Sequence, residues 1–363
     1  MLIQIICISI LMLLLQFFFY KQNFHKLVLY ILPVLSLCYM VYSIFKIVRA
    51  QALVNTSFPL AVKVIGLLLP IMISLIGMIV CIVIKYRHVE RSELKKVVLR
   101  QFLGFIVVMF VILSVTIYSA QEYVIFFPND SEQDRETLQQ SHTYEQVTIS
   151  QKYKGWLKDN KDSDTIIVYF GGNAQNTAST FLQFESVGIF DVMKNYSFFS
   201  IDYPSYGESE GSLSQNSLFQ MADNVMDYVE NHFPDKKIDL IGYSIGTGIA
   251  SYVSAHHALH KFVLVAPYNN GKDLFNTYFS IFYGPLTNLI QYPLESDQYV
   301  KQVTCESLVV MSKADSIVPM RLSKKLIKAF EKEPSTVVYE KDTHADLITE
   351  IKPWQDIINF LDK

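Results

Sequence analysis

Lys237-Ile238-Asp239-Leu240-Ile241-Gly242-Tyr243-Ser244-Ile245-Gly246-Thr247-Gly248-Ile249-Ala250-Ser251-Tyr252-Val253 carries three patterns in succession. Residues 237–241 read as a short apolar strand, 242–246 as a G-x-S-x-G turn, and 247–253 as a helical run. A serine hydroxyl is a poor nucleophile unless it is presented and activated. A sharp strand-to-helix turn lifts Oγ of Ser244 out of the sheet, and Gly242 and Gly246 leave room where a side chain would collide with neighbouring backbone. The N-terminus of the following helix adds positive partial charge where an oxyanion would form. The pentapeptide alone is a weak signal, because Gly-rich turns of this form recur by chance. Its context gives it weight.

Leu308-Val309-Val310-Met311 reads as a buried strand running into a loop with Asp315, ahead of an amphipathic helix around 322–330. Thr336-Val337-Val338-Tyr339 reads as a last strand, followed by a loop with His344. Singly, Asp315 also reads as a solvated loop acid and His344 as a surface histidine. Together, each after its own strand and in the order Ser244, Asp315, His344, they form a Ser–His–Asp set whose order differs from the chymotrypsin and subtilisin types. In that chemistry His344 takes the Ser244 proton and later protonates the leaving group. Asp315 holds the imidazole tautomer and stabilises its charged form.

An oxyanion hole needs two further donors. Thr165-Ile166-Ile167-Val168-Tyr169-Phe170 is an apolar strand ending in Gly171-Gly172-Asn173-Ala174. The expected donors are the backbone N–H of Ile245, directly after the serine, and one from this loop, with Asn173 preferred and Ala174 next.

These segments resemble the α/β-hydrolase superfamily and, within it, the Bem46-like group that includes the ABHD13-type proteins. The resemblance is carried by Tyr169–Asn176, by Ile201-Asp202-Tyr203-Pro204-Ser205-Tyr206-Gly207-Glu208-Ser209-Glu210-Gly211, by Gly242–Gly248, and by the Asp315 and His344 loops. It covers roughly residues 120–361. Gly171 stands where the group usually has a histidine. The resemblance implies a membrane-attached serine hydrolase, an esterase or thioesterase, with no substrate specified.

Charge divides the chain. Residues 1–120 hold 11 Lys+Arg against 2 Asp+Glu, while the remainder holds 20 against 32. The basic part contains long apolar runs, which predict transmembrane helices at about 2–20, 27–46, 62–84 and 102–119, each near the ~20 residues that span hydrocarbon. The first run lacks a basic leader and a small-residue cleavage site, so a retained helix is preferred over a signal peptide. Six Lys/Arg (Lys85, Arg87, Arg91, Lys95, Lys96, Arg100) precede or open the fourth helix. The positive-inside rule places them in the cytoplasm and the domain that follows on the extracytoplasmic side. Domains are therefore expected at 1–120 (membrane) and 121–363 (hydrolase).

In the second domain, strand-like runs recur at 145–149, 154–157, 166–170, 198–202, 238–241, 262–265, 308–311 and 336–339, with helical patterns between most of them. This alternation predicts a mainly parallel sheet with helices on both faces, the first two runs forming an antiparallel hairpin at one edge. The aromatic-rich segment 268–300 reads equally as the wall of an acyl pocket or membrane-facing surface and as a helix packed on the core. The polar stretch 129–141 reads as a surface loop. His256, His257 and His260 lack an accompanying cysteine or carboxylate cluster, so no metal is expected, and no cofactor. Cys305 is the only cysteine outside the predicted helices, so no disulfide is expected within the domain. The acidic balance argues against nucleic-acid binding. The expectation is thus a multi-pass membrane serine hydrolase acting on a small-molecule, lipid or acylated ester or thioester. A peptidase with the same triad and a non-catalytic partner-binding module are the alternatives. Oligomeric state is not legible.

Overall fold

The computed structural model describes residue 83, residues 90–278, residue 280 and residues 282–363. The chain divides into two compact units, Met1–Val124 and Ile125–Lys363. The predicted spans at 2–20 and 27–46, and 62–84 apart from residue 83, lie outside the described residues. Helix α1 (Arg91–Ile125) contains the fourth predicted span. Its 35 residues correspond to about 52 Å at 1.5 Å per residue. Among the residues described with their side chains, no helix is long and apolar enough to cross a membrane. Several side chains of the run 102–119 fall outside that set.

In the second unit the order is α2 (Glu132–Gln140), β1 (Glu145–Ile149), β2 (Tyr153–Lys158), β3 (Thr165–Phe170), α3 (Thr177–Val187), α4 (Ile189–Val192), β4 (Ser197–Ile201), α5 (Gln215–His232), β5 (Lys237–Tyr243), α6 (Gly246–His256) and β6 (Lys261–Val265). Then come α7 (Gly271–Tyr278), a 3-10 turn (Gly284–Leu289), α8 (Ser296–Tyr299), β7 (Glu306–Ser312), α9 (Met320–Ile327), β8 (Ser335–Tyr339), α10 (Asp346–Thr349) and α11 (Ile351–Leu361). One eight-stranded sheet runs β1-β2-β4-β3-β5-β6-β7-β8. β1–β2 and β2–β4 pair antiparallel, and every other pair is parallel. The predicted edge hairpin and mainly parallel sheet are both present.

The central strands are continuous apolar runs because both of their faces are covered. On one face Ile167, Tyr169, Ile241, Val263, Val265, Leu308 and Val310 share a core with Phe181 and Phe184 of α3, Phe190 of α4 and Trp354 of α11. The Phe184 and Trp354 rings meet edge-on at 5.0 Å, and Trp354 Nε1 donates to the Ile348 carbonyl at 2.9 Å. A side chain at Gly242, on the opposite face from Ile241 and Tyr243, would meet Ala250 of α6. Helix α6 therefore covers the second face. Beside it lies α5, through Phe219 stacked on Tyr252 at 4.0 Å. Helix α5 reads from its sequence: Ser214 and Ser217 cap its start reciprocally, and Leu218, Met221, Ala222, Val225, Met226 and Val229 repeat at helical spacing and are buried.

The stretch 129–141 departs from expectation. It contains α2, capped by Ser131, whose side chain accepts from the Asp134 N–H at 3.3 Å. Only Leu138 of this helix is buried, so the run shows no apolar periodicity, and the cap is its one local signal. In the segment 268–300 the aromatic residues differ in burial. Tyr268, Phe275, Phe282 and Tyr292 are buried, whereas Tyr278 and Tyr283 are exposed.

Candidate active site

The site forms where the parallel strands end, the usual place for ligands in an open α/β sheet. Ser244 follows β5 with φ of 53°, a left-handed conformation that costs a non-glycine residue about 1 kcal/mol or more. The turn is held from three directions: Ser244 N–H donates to the Val265 carbonyl at 2.9 Å, and both the N–H and the hydroxyl of Thr247 donate to the Ser244 carbonyl, at 3.0 and 2.6 Å. A Cβ at Gly246 would sit 2.2 Å from the Phe170 carbonyl oxygen and 2.5 Å from that of Gly171. The glycine thus lets the elbow close against the loop after β3.

Asp315 lies three residues beyond β7 and His344 five beyond β8. His344 Nε2 is 2.9 Å from Ser244 Oγ, and His344 Nδ1 is 2.7 Å from Asp315 Oδ2. Asp315 is buried, and its other oxygen accepts the N–H groups of Ile317 and Val318, both at 2.8 Å. A buried carboxylate is tolerable only when its lone pairs are filled in this way. With Oδ1 taken by backbone, Oδ2 faces the imidazole and fixes the proton on Nδ1, which leaves Nε2 to accept from Ser244. Tyr243 adds a further restraint: its hydroxyl donates to the His344 carbonyl at 3.0 Å, and its ring stacks on the imidazole at 5.1 Å.

The expected oxyanion donors are Ile245 in the elbow and one N–H of the loop after β3, Asn173 or Ala174. Among the described residues, the backbone N–H groups of Ile245 and Asn173 have no acceptor in the chain. The Ala174 N–H is engaged by Asn173 Oδ1 at 2.9 Å. Ile245 and Asn173 thus keep backbone N–H groups that could meet an oxyanion, whereas that of Ala174 is taken, and Ala174, at φ of 62°, shapes the turn. Gln175 braces this loop from its own side chain. Its Oε1 accepts from the Gly172 N–H at 2.5 Å and from the Tyr169 hydroxyl at 3.1 Å.

Sequence reasoning did not assign roles to Tyr203 and Tyr206. Tyr203 donates to the Gly171 carbonyl at 2.6 Å, and Tyr206 donates to Asn173 Oδ1 at 2.8 Å. Both are buried, and a buried tyrosine hydroxyl that needs a partner was the available signal. Asp202, which opens the same motif, accepts from the Thr177 N–H at 2.7 Å. Burial raises its carboxyl to about 6, with Glu208 adding to the rise and the Thr177 bonds opposing it.

The three histidines near α6 lead elsewhere. His256 Nδ1 lies 2.7 Å from the Tyr252 carbonyl, His257 bridges Asp223 and Glu230, and His260 meets Asp239 at 2.8 Å. Among the described residues no group of three potential ligands is arranged to hold a metal ion.

Residues 165–300 match the profile of the alpha/beta hydrolase fold. The esterase Pf2001 of Pyrococcus furiosus superposes with a TM-score of 0.51 at 15% identity, covering 66% of this chain and 97% of that one. The chain has the α/β-hydrolase fold. Two curated relatives are lysophosphatidylserine lipases ABHD12: that of Gallus gallus is 25% identical over 190 residues, and that of Bos taurus 26% over 192. The match covers 47% of this chain in both cases, and 49% and 47% of the respective relatives. The chain thus spans about half the length of the curated relatives it matches.

Proposed function

We propose that this protein is a membrane-anchored serine hydrolase that cleaves a carboxylic ester or thioester through an acyl-enzyme on Ser244. The observation that carries the reading is His344 bridging Ser244 Oγ and Asp315 at 2.9 and 2.7 Å. His344 Nε2 removes the hydroxyl proton as Ser244 Oγ attacks the carbonyl carbon. The N–H groups of Ile245 and Asn173 receive the negative oxygen, and His344 returns the proton to the leaving alcohol or thiol. Water, activated by the same imidazole, then releases the acid. Asp315 holds the imidazole and stabilises the imidazolium in both halves.

Similarity to lysophosphatidylserine lipases supports an acylated lipid as substrate, with the monoacyl ester of a lysophospholipid as the first class to assay. Anchoring is supported by α1, on which Leu99, Leu103, Ile106, Val107, Phe110, Val111, Val115 and Tyr118 are exposed apolar or aromatic side chains at helical spacing. With the apolar runs at 2–20, 27–46 and 62–84, it makes a four-helix, multi-pass region with the hydrolase unit on the extracytoplasmic side. The finer grouping with Bem46-like proteins rests on the Gly172-Asn173-Ala174 and Asp202–Gly211 segments.

The test compares membranes bearing wild-type protein with membranes bearing Ser244→Ala. They are offered a lysophospholipid, an acyl thioester and a peptide amide. Ser244-dependent release of fatty acid from the first or second supports the reading. Turnover of the peptide alone replaces it with a peptidase.

A further inference from the structure

Residues 125–129, at the start of the hydrolase unit, are bonded to the loop after β3 through side-chain amides. Asn173 Oδ1 accepts three bonds: from the Phe127 N–H at 3.0 Å, the Tyr206 hydroxyl at 2.8 Å and the Ala174 N–H at 2.9 Å. Asn173 Nδ2 donates to the Ile125 carbonyl. An amide with donors around its oxygen and an acceptor at its nitrogen has one satisfactory orientation. The Tyr206 hydroxyl also accepts from the Phe127 N–H at 3.1 Å, so three groups close one small network. Asn129 completes it on the other side. Its Nδ2 donates to the Ala174 carbonyl at 2.5 Å, its Oδ1 accepts from Asn176 Nδ2 at 2.6 Å, and its carbonyl accepts from the Gly207 N–H at 3.0 Å. Between these bonds the Phe126 ring is buried against Tyr292 at 4.8 Å.

We infer that Asn173 is a positioning residue: its side chain pins residues 125–129 to the loop after β3 and thereby fixes its own backbone N–H as an oxyanion donor. The inference rests on the serine-hydrolase reading of the site. Its physical basis is the division of labour within one residue. The side chain of Asn173 engages its oxygen with Phe127, Tyr206 and Ala174 and one N–H with Ile125, while the backbone N–H of the same residue has no acceptor among the described residues. Ala174, in its left-handed conformation, is held on both its N–H and its carbonyl. The peptide units around the donor therefore cannot swing without breaking bonds to 125–129. Oxyanion stabilisation depends on donors fixed before the charge forms, so a loosened loop weakens the transition state more than substrate binding. Residues 125–129 are on this account part of the catalytic support and not a passive connection.

The experiment uses the full chain with Asn173→Ala, Tyr206→Phe and Asn129→Ala. It reads kcat and KM on a short p-nitrophenyl ester and the affinity of a boronic acid that forms a tetrahedral adduct on Ser244. The expected result is a kcat loss of about tenfold or more for Asn173→Ala and roughly threefold to tenfold for the other two. KM should stay within about threefold and the boronate should weaken in proportion to kcat. Wild-type kcat in Tyr206→Phe or Asn173→Ala overturns the inference. So does a kcat loss with unchanged boronate affinity, which marks a merely structural role. Should Asn173→Ala not fold, Tyr206→Phe decides, because it removes one hydroxyl at constant shape. A wild type that neither turns over ester nor reacts with a fluorophosphonate brings down the hydrolase reading itself, an outcome separate from a normal wild type with indifferent variants.

Discussion

The Tyr243 hydroxyl donates to the carbonyl oxygen of His344 at 3.0 Å, and the Tyr243 ring lies stacked on the imidazole at 5.1 Å. The residue directly before Ser244 thus holds the group that must accept the serine proton, although the two are 101 positions apart in sequence. Strand β5 and the loop after β8 are locked in register at the point of reaction. Tyr243→Phe keeps the stacking and loses the bond. Its kcat on a soluble ester should fall roughly threefold to tenfold with little change in KM, because the imidazole gains freedom that a near-attack geometry excludes. Steady-state kinetics of the purified variant checks this.

Gly246→Ala brings a methyl group to 2.2 Å from the Phe170 carbonyl oxygen and 2.5 Å from that of Gly171. Both obstacles are backbone, so no side chain can rotate away. The elbow or the loop after β3 must shift, at a cost of about 1–3 kcal/mol, and the Asn173 N–H moves with it. Thermal unfolding of the solubilised protein should show a lowered midpoint, and esterase activity should fall further than stability alone explains.

Asp202 ties protonation to stability. Burial raises its folded carboxyl from 3.8 to about 6. Between those values the folded chain keeps a proton that the unfolded chain has lost. The contribution of this group therefore falls as pH rises from about 4 to 6 and is flat above that, by roughly 3 kcal/mol in all. Asp202→Asn has no such proton. The difference in unfolding free energy between wild type and variant should shift in the variant's favour across that window, which denaturant titrations at pH 4, 5, 6 and 7 will show.

An extracytoplasmic hydrolase unit leaves its surface open to impermeant reagents in intact cells. Asp130 is exposed just before helix α2. In a variant with Cys7, Cys38, Cys81 and Cys305 replaced by alanine, Asp130→Cys should react with a membrane-impermeant maleimide in intact cells. Protection until the cells are opened would place the hydrolase unit in the cytoplasm.

Much of the hydrolase unit is legible in the chain because its central strands are buried on both faces. The eight strand-like runs fall within a residue or two of β1–β8, the central ones as short β-branched and aromatic apolar runs bounded by turn signals and the edge ones as mixed runs. The proposed set of Ser244, Asp315 and His344 was legible in the loops after such strands, Ser244 directly after β5, Asp315 three residues after β7 and His344 five after β8. Helix α2 was not, because one buried leucine gives no period. The bonds from Tyr206 and Phe127 to Asn173 were not either, because they join residues 33 and 46 positions apart through an amide that turns back toward the chain's lead-in. Local pattern reports which face of an element is buried. It does not report which loop a polar tip will reach.

The most direct measurement is covalent labelling of the full-length protein in its membrane by a fluorophosphonate, with Ser244→Ala and His344→Ala beside it. The account predicts that the wild type is labelled, that Ser244→Ala is not, and that labelling of His344→Ala is slowed by at least about a hundredfold, because the hydroxyl then has no base at 2.9 Å. A folded wild type that fails to react, or a Ser244→Ala variant labelled as fast as the wild type, contradicts it.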